Sequence, residues 1–189
     1  MIFCIRDSRT KDEYMIKPQD ILFLLKLIAI GKSSWTYSSL ALELNMSPSE
    51  VHAAANRSLN AKLAIKQDGI IRPQISNLSE FLSHGIQYVF GVKKGELIRG
   101  MPTSYAVAPM DSHFVIDNEP PPVWPDSDGG VRGMSFSPLY KSAPSAAKKD
   151  TKLYELLVLV DGIRDGRARE RNFARKELIK RLDQYESKS

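Results

Sequence analysis

A chain of 189 residues with 42% hydrophobic content can bury one proper core, as a single domain or a domain with an appendage. A net charge of +5 and a pI of about 9.3 make it mildly basic, short of a polybasic tail. One cysteine, Cys4, excludes an internal disulfide framework and a cysteine-rich zinc site.

Residues 1–14 carry no convincing period and read as an N-terminal extension, with Met15 a second candidate start. Residues 18–30 predict a helix with proline in its first turn and Gly31 just past its end. Ile21, Leu22, Leu24, Leu25, Ile28 and Ala29 make most of its circumference apolar, so it belongs at the centre of a small domain. Its apolar run, 21–30, is interrupted by Lys26 and falls well below the ~20 residues of a membrane span. It also lacks the flanks of a signal peptide. A soluble, cytoplasmic protein is the expectation. Residues 34–36 suggest a short extended strand.

The stretch 37–63, YSSLALELNMSPSEVHAAANRSLNAKL, predicts two helices joined by a tight turn. Thr36 caps the first, whose buried stripe is Leu40, Ala41 and Leu44. Asn45 sits where the chain turns, in the left-handed region that asparagine tolerates. Ser47-Pro48-Ser49-Glu50 is a capping box with proline at the first helical position, so the second helix starts at 48. Val51, Ala54, Ala55, Leu59 and Leu63 continue the buried face.

This arrangement resembles the helix-turn-helix of bacterial transcription regulators, position by position. Small Ala41 stands at the helix crossing, and Leu40, Leu44, Met46, Val51 and Ala54 occupy the hydrophobic positions. Asn45 replaces the usual glycine. The resemblance implies that the helix over 48–60 enters the major groove of double-stranded DNA. Ser47, Ser49, His52, Ala53, Asn56 and Arg57 would then face outward, Asn56 toward adenine and Arg57 toward guanine or phosphate.

Residues 64–73 place two β-prone runs around Asp68-Gly69, a dipeptide that closes two-residue hairpins. After such a motif the hairpin resembles the wing of a winged helix, with Lys66 and Arg72 offered to phosphates. Over 15–75 the chain is thus similar to winged helix-turn-helix regulators, MarR-like in outline.

Residues 77–90 predict an amphipathic helix capped by Asn77 or Ser76. Residues 97–116 give only a short helix around 103–107. The prolines at 120–122 demand extended chain. Residues 123–125 and 131–136 are expected to pair as a hairpin across 126–130. The segment 76–149 reads as a proline-rich wrap holding Trp124, Phe136 and Tyr140. Asp150 caps a last helical pair over 150–185, split at Gly166, which is either core or a homodimerisation element. The basic run Arg164, Arg167, Arg169, Arg171, Arg175 and Lys176 is interleaved with acids and reads as a solvated face.

Lys plus Arg exceed Asp plus Glu by seven to four over 17–73 and by twelve to eight over 148–189, while 74–147 is acidic at five to seven. The positive excess therefore lies at the helix-turn-helix end and in the last helices, which suits a nucleic-acid footprint at two places and, being small, solubility alone as well. His52, His84 and His113 share no ligand spacing, and no P-loop, dinucleotide fingerprint or nucleophile elbow is present. No enzyme activity, cofactor or metal is expected. The sequence thus predicts a mainly α fold with a small β wing and a C-terminal helical hairpin, acting as a DNA-binding regulator. The competing readings are a winged helix that binds protein, as an antitoxin or adaptor would, and an enzyme or ligand sensor with its pocket near residues 124–140.

Overall fold

The computed structural model describes residues 15–114 and 119–187. The extension at 1–14 lies outside the described residues. Helix α1 (Pro18–Ile30) is buried from Asp20 to Ala29, as its nearly all-apolar circumference dictates. The Lys17 amide donates to the Asp20 carboxylate at 2.8 Å, and Gly31 at φ 64° ends the helix. Residues 34–36 form no strand. Trp35 instead packs edge-on between Phe23 and Tyr37, at centroid distances of 6.0 and 5.4 Å.

Helices α2 (Tyr37–Leu44) and α3 (Pro48–Asn60) follow, with Asn45 left-handed at φ 54°, ψ 47° between them. Strands β1 (Ala64–Gln67) and β2 (Ile70–Pro73) then pair antiparallel around Asp68 and Gly69, both at positive φ. That is the turn the Asp-Gly pair predicts.

The next helical stretch begins earlier than its sequence signal. Helix α4 (Ile75–Glu80) starts after Gln74, because Asn77 is occupied in donating to the Lys62 carbonyl at 2.8 Å. A π-helical turn (Phe81–Gly85) then leads into α5 (Ile86–Val89).

Strand β3 (Lys94–Pro102) was invisible to sequence periodicity. It pairs antiparallel with both β4 (Pro122–Pro125) and β5 (Val131–Phe136), which close on each other into a three-stranded barrel. The expected β4–β5 hairpin is therefore corrected. Two strands antiparallel to one partner must run parallel to each other, and Pro122 aligns with Met134. Closure is tight: a Cβ on Gly100 would strike the Trp124 carbonyl, and one on Gly133 the Pro121 carbonyl. The short helix expected near 103–107 is a single 3₁₀ turn, Ser104–Ala106.

Three helices complete the chain: α6 (Ala143–Lys149), which the sequence reading missed, α7 (Thr151–Asp165) and α8 (Ala168–Ser187). Asp150 caps α7, accepting from the Lys152 and Leu153 amides at 3.0 and 3.1 Å. Helix α7 is buried continuously from Leu156 to Arg164, and α8 buries Glu170 in its first turn and the apolar stripe Ala174, Leu178 and Leu182. Side chains of α1, α3, α4, α7 and α8 belong to one continuous hydrophobic core. The fold is mixed, mainly helical with two small sheets, and the blocks 15–75 and 150–185 share that core.

The barrel is locked to α7 by a buried polar hub. Fully buried Asp161 accepts from Thr103 at 2.8 Å, Trp124 at 2.7 Å and Arg164 at 2.7 Å. Arg164 also donates to the Phe90 carbonyl at 2.9 Å. Trp124 is thus part of the packing and, among the described residues, lines no pocket; the pocket expected around 124–140 is met only at its far end, where a groove of about 360 Å³ runs beside Met134, Ser135 and Phe136.

Candidate nucleic-acid interface

The start of α3 is fixed by reciprocal hydrogen bonds. The Ser47 amide donates to the Glu50 carboxylate at 2.8 Å, and the Glu50 amide donates back to the Ser47 hydroxyl at 3.2 Å. The Met46 amide donates to the Ala41 carbonyl at 3.0 Å and closes the turn. Leu40, Ala41, Leu44, Val51, Ala54 and Ala55 are buried, so the two helices pack along the stripe their spacing predicts.

The outward side of α3 carries Ser49, His52 and Asn56, all exposed, with Ser47 exposed at its cap and Ala53 half-buried. His52 rests against the Tyr37 ring at a centroid distance of 5.1 Å. Asn56 Nδ2 and His52 Nδ1 lie 3.3 Å apart, one turn along the helix. The structure thus brings Ser47, Ser49, His52 and Asn56 onto one open face of neutral hydrogen-bonding groups.

Arg57 does not join them, and the expectation that it faces outward is corrected. It follows fully buried Ala54 by three residues and precedes fully buried Ser58, so it points inward toward α1. Its Nε donates to Asp20 Oδ2 at 2.8 Å and its Nη2 to Oδ1 at 2.5 Å. Burial pushes the Asp20 carboxyl up, while the Arg57 hydrogen bonds pull it down. A carboxylate in the first turn of so apolar a helix was the signal: it needs a cation, and Arg57 supplies it.

The hairpin is likewise only partly as expected. Lys66 pairs with Ile71 and Arg72 with Ile65, so the two cations project from opposite faces of the ribbon. Lys66 is exposed, and Arg72 is half-buried near Tyr185. They do not converge on one phosphate strand.

Two contributors escaped the sequence reading. Tyr140 donates its hydroxyl to Glu50 Oε1 at 3.0 Å, bringing the segment before α6 against the start of α3. The Ser47 amide and hydroxyl, then Tyr140, hold the Glu50 carboxyl below the usual range. Neighbouring Lys141 is exposed, near enough to Glu50 to act on its charge. With the partners ninety positions apart, no local pattern announces the contact.

The C-terminal arginines form no second surface. Arg164 is buried, Arg171 donates to the Gly166 carbonyl at 3.0 Å, and Arg175 donates to the Ser83 carbonyl at 2.7 Å. These three are turned to neighbouring backbone and side chains, while Arg167, Arg169 and Lys176 are exposed, as the solvated-face reading expects. Among the described residues no group of three or more His, Cys, Asp or Glu could hold a metal ion, and no helix is long and apolar enough to cross a membrane. Comparison with protein-family models, curated proteins and solved structures yields no match.

Proposed function

We propose that the protein is a DNA-binding transcriptional regulator, a winged helix-turn-helix of MarR-like outline working in the cytoplasm, with α3 as the helix that enters the major groove. The observation that carries this reading is the open face from Ser47 to Asn56, presented by a helix whose start is doubly capped. Asn56 can pair with the adenine edge, and His52, already bonded to it, holds its amide in place or donates to a neighbouring base. Ser47 and Ser49 stand at the amide-rich helix start, which favours phosphate. Lys66 on the β1–β2 wing and Lys141 beside Glu50 flank α3 and supply cations for the backbone.

With α7 buried from Leu156 to Arg164, a homodimer that bridges two half-sites would use the outer face of α8, where Ile179 is exposed. A protein-binding module is the second reading, favoured by one observation: with Arg57 committed to Asp20, the outward face of α3 holds no cation. Gel shifts against the fragment upstream of the protein's own reading frame separate the two. A retarded complex that weakens at least about tenfold in Asn56→Ala supports base readout. Absence of any complex at low salt favours the protein-binding reading.

A further inference from the structure

A groove of about 680 Å³ opens between the last turn of α1, the first turns of α7 and the C-terminal half of α8. That volume lies within the range of small-molecule sites. Its floor is apolar, made of Ile28, Ala29 and Leu156 from the core with half-buried Tyr185 beside them. Its rim is cationic. Arg181 there is neutralised by Glu155 at 3.2 Å and Glu177 at 2.6 Å. Lys32 and Lys152, exposed on the same rim, have no ion pair or hydrogen-bonded side-chain partner among the described residues.

Lys152 is the more telling of the two. It stands in the first turn of α7, the end of a helix where the macrodipole disfavours a cation. The nearby Asp150 carboxylate is already taken by the Lys152 and Leu153 amides and by Lys26 at 2.7 Å. Glu155, one turn on, is turned to Arg181. Two unpaired cations thus border a groove whose floor is the outer edge of core side chains.

We propose that this groove binds an organic anion with an apolar body: a carboxylate or sulfonate seated at Lys32 and Lys152, its hydrocarbon part lying on Ile28, Ala29 and Leu156. A bare inorganic anion gains nothing from the floor, and a neutral hydrocarbon gains nothing from the two solvated cations. A molecule with both parts uses both.

The test uses the full chain and anilinonaphthalene sulfonate as fluorescent probe, with N-phenylnaphthylamine as its uncharged counterpart. The expected result is one bound sulfonate per chain, with the uncharged compound at least about tenfold weaker. Affinity for the sulfonate should fall at least about tenfold in the double variant Lys32→Glu, Lys152→Glu. Gln184→Trp, an exposed position on the groove wall, should also abolish binding by filling the mouth. Far-UV circular dichroism checks that both variants fold. Equal affinity for the two compounds, displacement by inorganic phosphate alone, or unchanged binding in the folded double variant would each overturn the assignment.

Discussion

Removing Asp20 leaves the Arg57 guanidinium buried without two of its hydrogen bonds, and an unpaired buried charge costs more than the pair itself contributes. Asp20→Ala and Arg57→Ala are each expected to lower stability by about 3–5 kcal/mol in urea unfolding. Asp20→Leu combined with Arg57→Met should recover most of that loss, because neither charge then remains. A loss below about 1 kcal/mol in the single variants would mean that water reaches the pair. Arg57→Ala is for this reason a poor probe of base contact, and Asn56→Ala is the cleaner one. Asp150 supplies a pH-dependent counterpart. Burial pushes its carboxyl up, but the Lys26 ion pair and the Leu153 and Lys152 amides together outweigh this and hold it below the usual range. A depressed carboxyl stabilises the fold fully above its unfolded value of about 3.9, and that contribution is lost as pH falls through the lower folded value. Asp150→Asn can still cap α7 but cannot pair with Lys26. The variant should be about 2 kcal/mol less stable at neutral pH and should lose less than the parent on acidification, as read from urea midpoints across the acid limb. Equal acid limbs would remove the ion pair from the account.

At the level of single elements, local chemistry was legible where the partners are close in sequence. Ser47 and Glu50 are three residues apart, Asp68 and Gly69 adjacent, and Asp150 directly precedes α7, so each announced its structure. The barrel is the opposite case. Strand β3 finds its partners some twenty to forty residues downstream, and most of its side chains are exposed, so it carries no apolar alternation. What specifies the barrel is negative space: Gly100 and Gly133 stand where backbones touch. Gly100→Ala is therefore expected to cost about 2–3 kcal/mol, since its Cβ would fall on the Trp124 carbonyl and the Val123 side chain. Chemical denaturation checks it. A neutral outcome would show that the three strands separate easily.

Across the whole molecule, the candidate interface was legible except in its electrostatics. The sequence placed a capped helix with Ser47, Ser49, His52 and Asn56 on its outer side, and these four share an open face. Arg57 was misplaced because its partner lies on another helix, and Tyr140 was missed because it arrives from the far half of the chain. Helix α1, apolar nearly all round, belongs at a centre, and with α7 it forms the middle of one shared core. Helix α3 is consequently braced from behind by α1 and at its start by the Tyr140 segment, and its outer face is open. Binding of a fluorescent duplex from the upstream region, followed by anisotropy between about 50 and 200 mM salt, tests that assignment most directly. The predicted result is affinity that falls at least about tenfold over this range, with the salt slope shallower by about one in Lys66→Ala and binding weakened at every salt in Asn56→Ala. Association that ignores both salt and Asn56, or no association at the lowest salt, would contradict it.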